Sequence, residues 1–229
     1  MSMWPSAFPG EGMDKKYWFD FNHGEADFFM ADVRTGNERH KGIRKEPNAL
    51  SDDQFNALTA WLDQGHGRIK FIISAVPAFP DTRLAFGSPK DKWGGAVQQR
   101  HRLLEFIKDK KIPKVVFLSG DVHVSFVSEL IHSQEADFKV HQIVSSAFYW
   151  KPPGLQGVNF GFGPLKRKNE KGERPSQAYV SKRLRTESGR PKVHKDDNFT
   201  RITAKKEAVK VEIFGGFNGA LLETVDIRF

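Results

Sequence analysis

The chain has no cysteine, so disulfides, thiolate metal sites and cysteine nucleophiles are excluded. It also lacks a phosphate-cradling G-x-x-x-x-G-K loop, a G-x-G-x-x-G dinucleotide fingerprint and a G-x-S-x-G nucleophile elbow. No uninterrupted apolar run approaches the roughly 20 residues that span a bilayer, so no membrane partner is expected. Residues 1–12, MSMWPSAFPGEG, have neither a basic start nor an apolar stretch, unlike a secretory leader. Tyrosine is scarce, at three residues, and its near-absence from the basic segment described below removes the stacking platforms of single-strand nucleic-acid binders. What remains for metal or acid–base chemistry is His, Asp, Glu and Asn.

Twenty phenylalanines and five tryptophans supply the apolar area for a core in a chain of 229 residues, read here as a single domain. The net charge of +8 is concentrated. Residues 166–195 hold eleven Lys/Arg and three Glu, and the rest of the chain is balanced. That segment has few large apolar residues, so it is expected to be a mobile basic insertion, open to a polyanionic partner.

The stretch that organises the chain is residues 112–125, IPKVVFLSGDVHVS. Val115 to Leu118 reads as a buried strand that must turn at Ser119-Gly120. Asp121 and His123 follow two residues apart, which in extended backbone places both on one face at the carboxyl end of a core strand. Such a carboxylate and imidazole suit Zn, Fe or Mn, although two ligands alone do not hold an ion.

Upstream, YWFDFN and ADFFMADV flank Asn22-His23-Gly24-Glu25 and predict a hairpin. Ser51 caps a helix with a stripe of Phe55, Leu58, Trp61 and Leu62. Residues 70–76 and 115–118 read as parallel strands joined through a helix over residues 98–110. Strands are also expected over 125–130, 139–145, 199–204, 209–214 and 221–229. Arg34, directly after a strand end, is a candidate phosphate-binding cation. Gly36-Asn37-Glu38 with His40, His23, His66, Asp91, Trp93 and the aromatics Phe148, Tyr149 and Trp150 are lesser candidates. For His66 and Trp93 a helix-end position and core packing suffice.

The combination of ADFFMADVRT, the helix carrying Leu50, Gln54, Leu58, Trp61 and Leu62, KFIISAVPAF, QQRHRLLEFI, KVVFLSGDVHVSFVSEL and NFTRITAKKEAVKVEIFGG resembles the PhoD-like alkaline phosphatases. That resemblance implies an α/β (α+β) fold, a partial four-layer metallophosphoesterase β-sandwich with flanking helices. It also implies hydrolysis of phosphate mono- and diesters at a two-metal centre of Fe, Ca, Mn or Zn. By position, Asp121 and His123 match the family's last metal-ligand motif, and Arg34 matches the arginine after its aspartate-threonine strand end.

The sequence also departs from that pattern. The family's earlier ligands have no counterpart here, Ala75 stands where many metallophosphoesterases carry a histidine, and Trp93-Gly94-Gly95-Ala96 lacks the acid and tyrosine of the family's loop. The expectation is therefore half of a site, inactive alone, completed by an N-terminal half or another chain. The alternatives are a non-catalytic phosphate- or polyanion-binding relative and a sheet-completing subunit.

Overall fold

Strands rich in Val, Ile and Phe with no polar alternation can be stable only when both faces are covered. A computed structural model, which describes residues 16–35, 47–82, 93–147, 160–165, 168, 171–184 and 193–229, shows how that covering is achieved. β1 (Phe19–His23) and β2 (Ala26–Ala31) form the expected hairpin around Gly24, whose φ of +54° suits glycine. α1 (Asp52–Leu62) follows, with the Ser51 hydroxyl accepting from the Gln54 amide as an N-cap. β3 (Ile69–Ser74), the short β4 (Asp81–Thr82), a 3₁₀ turn (Trp93–Gly95), α2 (Val97–Asp109) and β5 (Val115–Ser119) come next.

Beyond the GDVH turn lie β6 (Phe126–His132), β7 (Lys139–Val144), β8 (Phe160–Gly161), β9 (Gly163–Pro164) and β10 (Tyr179–Arg183). β11 (Asn198–Lys205), β12 (Ala208–Gly215) and β13 (Leu221–Arg228) close the chain.

Eight strands form one sheet in the order β1-β2-β3-β5-β7-β6-β10-β9. β2, β3, β5 and β7 are mutually parallel, and every other pairing in this sheet is antiparallel. On one face Phe29, Ile72, Val115 and Phe117 pack with Leu58, Trp61, Leu103 and Ile107 of the helices. On the other, Phe71, Val116 and Ile143 pack with Val209, Val211, Val225 and Ile227 of the three-stranded antiparallel sheet β11-β12-β13. The described residues are thus layered as helices, large sheet and small sheet, the mixed α/β arrangement the resemblance implied.

Lys70 shows what closing these layers demands. Its side chain lies on β3, is 1% exposed, and puts Nζ 3.0 Å from Asp27 Oδ2, 3.3 Å from the Trp61 carbonyl and 4.5 Å from the Trp61 ring centroid. Arg68 Nε also donates to Asp27 at 2.6 Å. A buried ammonium needs such compensation, because desolvating a charge costs more than a solvated pair returns.

One expectation is corrected in part. Within the basic stretch read as a mobile insertion, Tyr179–Arg183 is a strand of the large sheet, paired antiparallel with β6. Tyr179 is fully buried, its hydroxyl donates to Glu105 Oε1 at 2.5 Å, and its ring stands edge-on to Phe138 at 5.1 Å. Farther along, His194 exchanges two backbone hydrogen bonds with Ser125. A lone tyrosine in a cationic background reads as solvated from composition, yet β6 offers it an edge to pair with, Phe138 a ring to pack against and Glu105 of α2 an acceptor for its hydroxyl. No helix among the described residues is long and apolar enough to cross a membrane.

Two outcomes check this packing. Tyr179→Ala is expected to lower stability by about 3–4 kcal/mol, read by chemical denaturation, because a buried aromatic leaves a cavity. Asp27→Ala, which strands the buried Lys70 ammonium, is expected to cost about 3 kcal/mol. Burial works to raise the Asp27 carboxyl, but hydrogen bonds and charge from Arg68 and Lys70 outweigh it and hold it below its ordinary range. Its stabilising contribution is therefore complete above about pH 4 and is lost as pH falls through the depressed folded value. A denaturation series from pH 6 to 2 should show that loss in the wild type and its absence in the alanine variant.

Candidate functional site

Parallel register places the ends of four strands on one edge of the large sheet. Ala31, Ser74, Ser119 and Val144 stand side by side across β2, β3, β5 and β7. The residues that follow, 32–35, 75–76, 120–123 and 145–146, therefore crowd the same rim, where sheets of this kind gather their chemistry.

The loop after β2 is built by Asp32. Its carboxylate accepts from the backbone amides of Arg34 (3.0 Å) and Thr35 (2.9 Å) and from the Thr35 hydroxyl, an Asx turn that aims Arg34 along the rim. Buried Gln54 of α1 fixes Asp32 in turn, accepting from its amide at 2.8 Å and donating to its carbonyl at 2.9 Å.

The GDVH turn differs from the expected extended geometry. Asp121 and His123 have φ of +64° and +54°, so both occupy the left-handed region, which aspartate and histidine tolerate better than branched residues. Their placement outside the core survives for a different reason: Val122 between them is fully buried beside Phe126 and Val144, which leaves Asp121 exposed and His123 half-buried. Ser146, after β7, holds this backbone. Its hydroxyl oxygen accepts from the Val122 amide (2.9 Å) and the His123 amide (3.1 Å), while its own amide donates to the buried Ser125 hydroxyl at 3.2 Å.

The fold brings two of the three site residues read from the sequence into contact. Arg34 Nη2 lies 2.9 Å from Asp121 Oδ2, across 87 positions of chain, and both side chains are about half exposed. His123 is carried two residues along the same turn. Sequence reasoning missed Asp32 and Ser146, although polar residues directly after apolar strands at a shared edge were a usable signal.

The lesser candidates separate cleanly. Trp93 is a core residue, fully buried, with its ring N–H donating to Ser74 Oγ at 3.0 Å. His23 is exposed at the hairpin end, and His66 lies 3.7 Å from Asp63 at the end of α1. Gly36, Asn37, Glu38, His40, Asp91, Phe148, Tyr149 and Trp150 lie outside the described residues. A cleft of about 730 Å³ lies at the opposite, amino end of the parallel strands, lined in part by Lys111, Pro113, His141 and Phe229. Burial, with a smaller push from Lys139, lowers the His141 imidazole to about 3, so it is a neutral core histidine.

Chemically, the rim offers a guanidinium, a carboxylate and an imidazole. Among the described residues no group of three or more His, Asp or Glu could hold a metal ion, and the Asp121 carboxylate is engaged by Arg34. The residues as arranged do not by themselves make a metal centre.

A parallel-centred sheet between helices and a second sheet, with polar residues gathered at its carboxyl rim, places the described residues among layered mixed α/β folds. Residues 3–213 match the sequence model of PhoD-like phosphatases, and the chain belongs to that family. A segment of 40 residues is 50% identical to alkaline phosphatase D of Bacillus subtilis (strain 168); it is 18% of this chain and 7% of that protein. The solved structure of PhoD superposes with a TM-score of 0.56 at 16% identity, covering 94% of this chain and 41% of that one. The purple acid phosphatase PPD1 of yellow lupin (Lupinus luteus) covers 93% and 33% respectively, at 13% identity and a TM-score of 0.49. The chain thus shares the fold of PhoD and spans about two-fifths of its length.

Ser146→Ala removes the acceptor of two turn amides. It is expected to cost about 1–2 kcal/mol and to speed hydrogen exchange at the Val122 and His123 amides selectively, with Gln142 and Ile143 of β7 unchanged.

Proposed function

We propose that this chain carries part of the centre of a phosphate-ester hydrolase and does not turn over esters alone. Arg34 binds the phosphoryl oxygens, and its planar guanidinium can donate to two of them at once. Asp121 and His123 contribute an oxygen and a nitrogen donor to a metal site for Fe, Mn, Zn or Ca, whose remaining donors come from outside the described residues. The observation that carries this reading is the meeting of Arg34 and Asp121 at 2.9 Å on the rim of a PhoD-like fold, with His123 on the same turn. Whether the substrate is a monoester or a diester is decided by the walls of the completed site, so both are assayed.

A second feature favours completion by further polypeptide. β1 is exposed along its whole length, and Phe21, Phe28 and Phe71 stack in sequence from that edge inward, with centroid spacings of 4.8 and 5.1 Å. An aromatic edge that carries one acid, Asp20, among its described residues is suited to take another strand or layer. The alternative reading, a non-catalytic polyanion-binding relative, rests on the eleven Lys/Arg of residues 166–195.

The experiment supplies Mn, Fe, Zn or Ca with chromogenic phosphomonoester and phosphodiester, with and without a co-expressed segment providing the remainder of a PhoD-like fold. No turnover is expected from the chain alone. Turnover is expected on reconstitution, falling about 10²–10³-fold in Arg34→Ala and to background in His123→Ala. Hydrolysis by the chain alone, abolished by His123→Ala, would overturn the shared-centre reading.

A further inference from the structure

The cleft at the amino ends of the parallel strands lies at the far end of the sheet from Arg34, Asp121 and His123, and the hydrolase reading makes no use of it. Its lining includes a polar atom that lacks a partner. His141 on β7 is 2% exposed, and among the described residues its buried Nδ1 has no hydrogen-bond partner. Burial keeps the ring neutral, so it carries one N–H donor and one lone pair, and leaving either unfilled is costly. The surroundings are apolar. The Phe229 ring stands edge-on to His141 at 5.6 Å, and Ile112, Pro113 and Phe138 line the same cleft.

The charges at this cleft divide by position. Lys108 and Lys114 are already engaged, by Glu105 and Asp109 and by Glu207. Lys111, Lys139 and Arg228 make no ion pair among the described residues, and they come from the turn after α2, from β7 and from β13. The uncommitted carboxylates, Glu135 and Asp137, both lie on the turn between β6 and β7. Lys111 also carries a conformational cost. α2 ends in a Schellman turn, in which the Lys111 amide donates to the Lys108 carbonyl and the Ile112 amide to the Ile107 carbonyl, both at 3.0 Å. That turn holds Lys111 at φ +50°, a left-handed position that glycine fills without strain. An amine is thus set on the cleft at a site where a smaller residue would fold better.

We propose that this cleft binds a nucleoside phosphate. Its heteroaromatic ring lies among Phe229, Phe138 and His141, and the hydrogen-bonding edge of the base fills the vacant imidazole nitrogen. The sugar hydroxyls donate to Glu135 or Asp137, and the phosphoryl oxygens accept from Lys111, Lys139 and Arg228. A cleft of about 730 Å³ is ample for such a molecule. A free anion would leave His141 unfilled, and an uncharged nucleoside would leave the three cations unused. The inference is independent of the hydrolase reading, since it needs neither a metal ion nor turnover.

The test titrates AMP, adenosine and inorganic phosphate separately into the full chain by calorimetry, with a chelator present, and follows the His141 ring nitrogens by nitrogen-15 resonance. AMP is expected to bind at least about tenfold more tightly than either fragment, with the Nδ1 resonance of His141 shifting in proportion to occupancy. Lys111→Gly is expected to weaken AMP about three- to tenfold while raising the melting temperature by about 2–4 °C, which separates lost binding from lost folding. Lys139→Gln should weaken AMP similarly and leave adenosine unchanged. Arg34→Ala, at the other end of the sheet, should leave AMP affinity as it is. Phosphate binding as tightly as AMP, AMP affinity that falls in Arg34→Ala but not in Lys111→Gly, or no AMP binding at all would overturn the proposal. Failure of the hydrolase reading shows separately, as turnover by the chain alone, and leaves this comparison of affinities intact.

Discussion

Burial of β5 on both faces is the constraint from which the rest of the architecture follows. Val115 and Phe117 face the helices while Val116 faces the small sheet, so the strand is stable only with a layer on each side. Parallel neighbours β3 and β7 bring their carboxyl ends to the same edge as its own. Every polar residue placed just after one of these strands is thereby delivered to one rim. The candidate site is a consequence of that shared register.

Around the rim, side chains that follow or flank the strand ends position the two turns by hydrogen bonds, some neutral and some from the Asp32 carboxylate. Gln54, Asp32 and Ser146 hold the two turns, and the Arg34–Asp121 pair lies half exposed between them. The contrast with the Lys70–Asp27 pair is instructive. There the ammonium is buried under Trp61, the carboxylate is shared with Arg68, and the pair is bound into the packing. Two ion pairs of similar length therefore have different roles, and burial decides which is which.

Membership of the PhoD-like family and the span of about two-fifths of the solved PhoD chain belong together with the exposed aromatic edge of β1. At this edge Phe19 and Phe21 keep more than a third of their surface exposed and Phe21 stacks on Phe28, which leaves apolar area at the end of the sheet.

Much of this was legible in residue patterns. The hairpin around Gly24, the Ser51 cap with its apolar stripe, the parallel pairing of β3 with β5 and the closing three-stranded meander all follow from local signals that packing reinforces. Arg34, Asp121 and His123 could be singled out because they follow strand ends. Three features required the tertiary structure. The left-handed turn at Asp121 and His123 depends on Ser146 and on a pocket for Val122, contacts made across more than twenty positions of chain. The strand around Tyr179 depends on the open edge of β6, which no composition of its own segment reveals. The contact between Arg34 and Asp121 depends on the order of strands in the sheet. Local sequence determines which residues reach a strand end, and only non-local pairing determines which strand ends are neighbours.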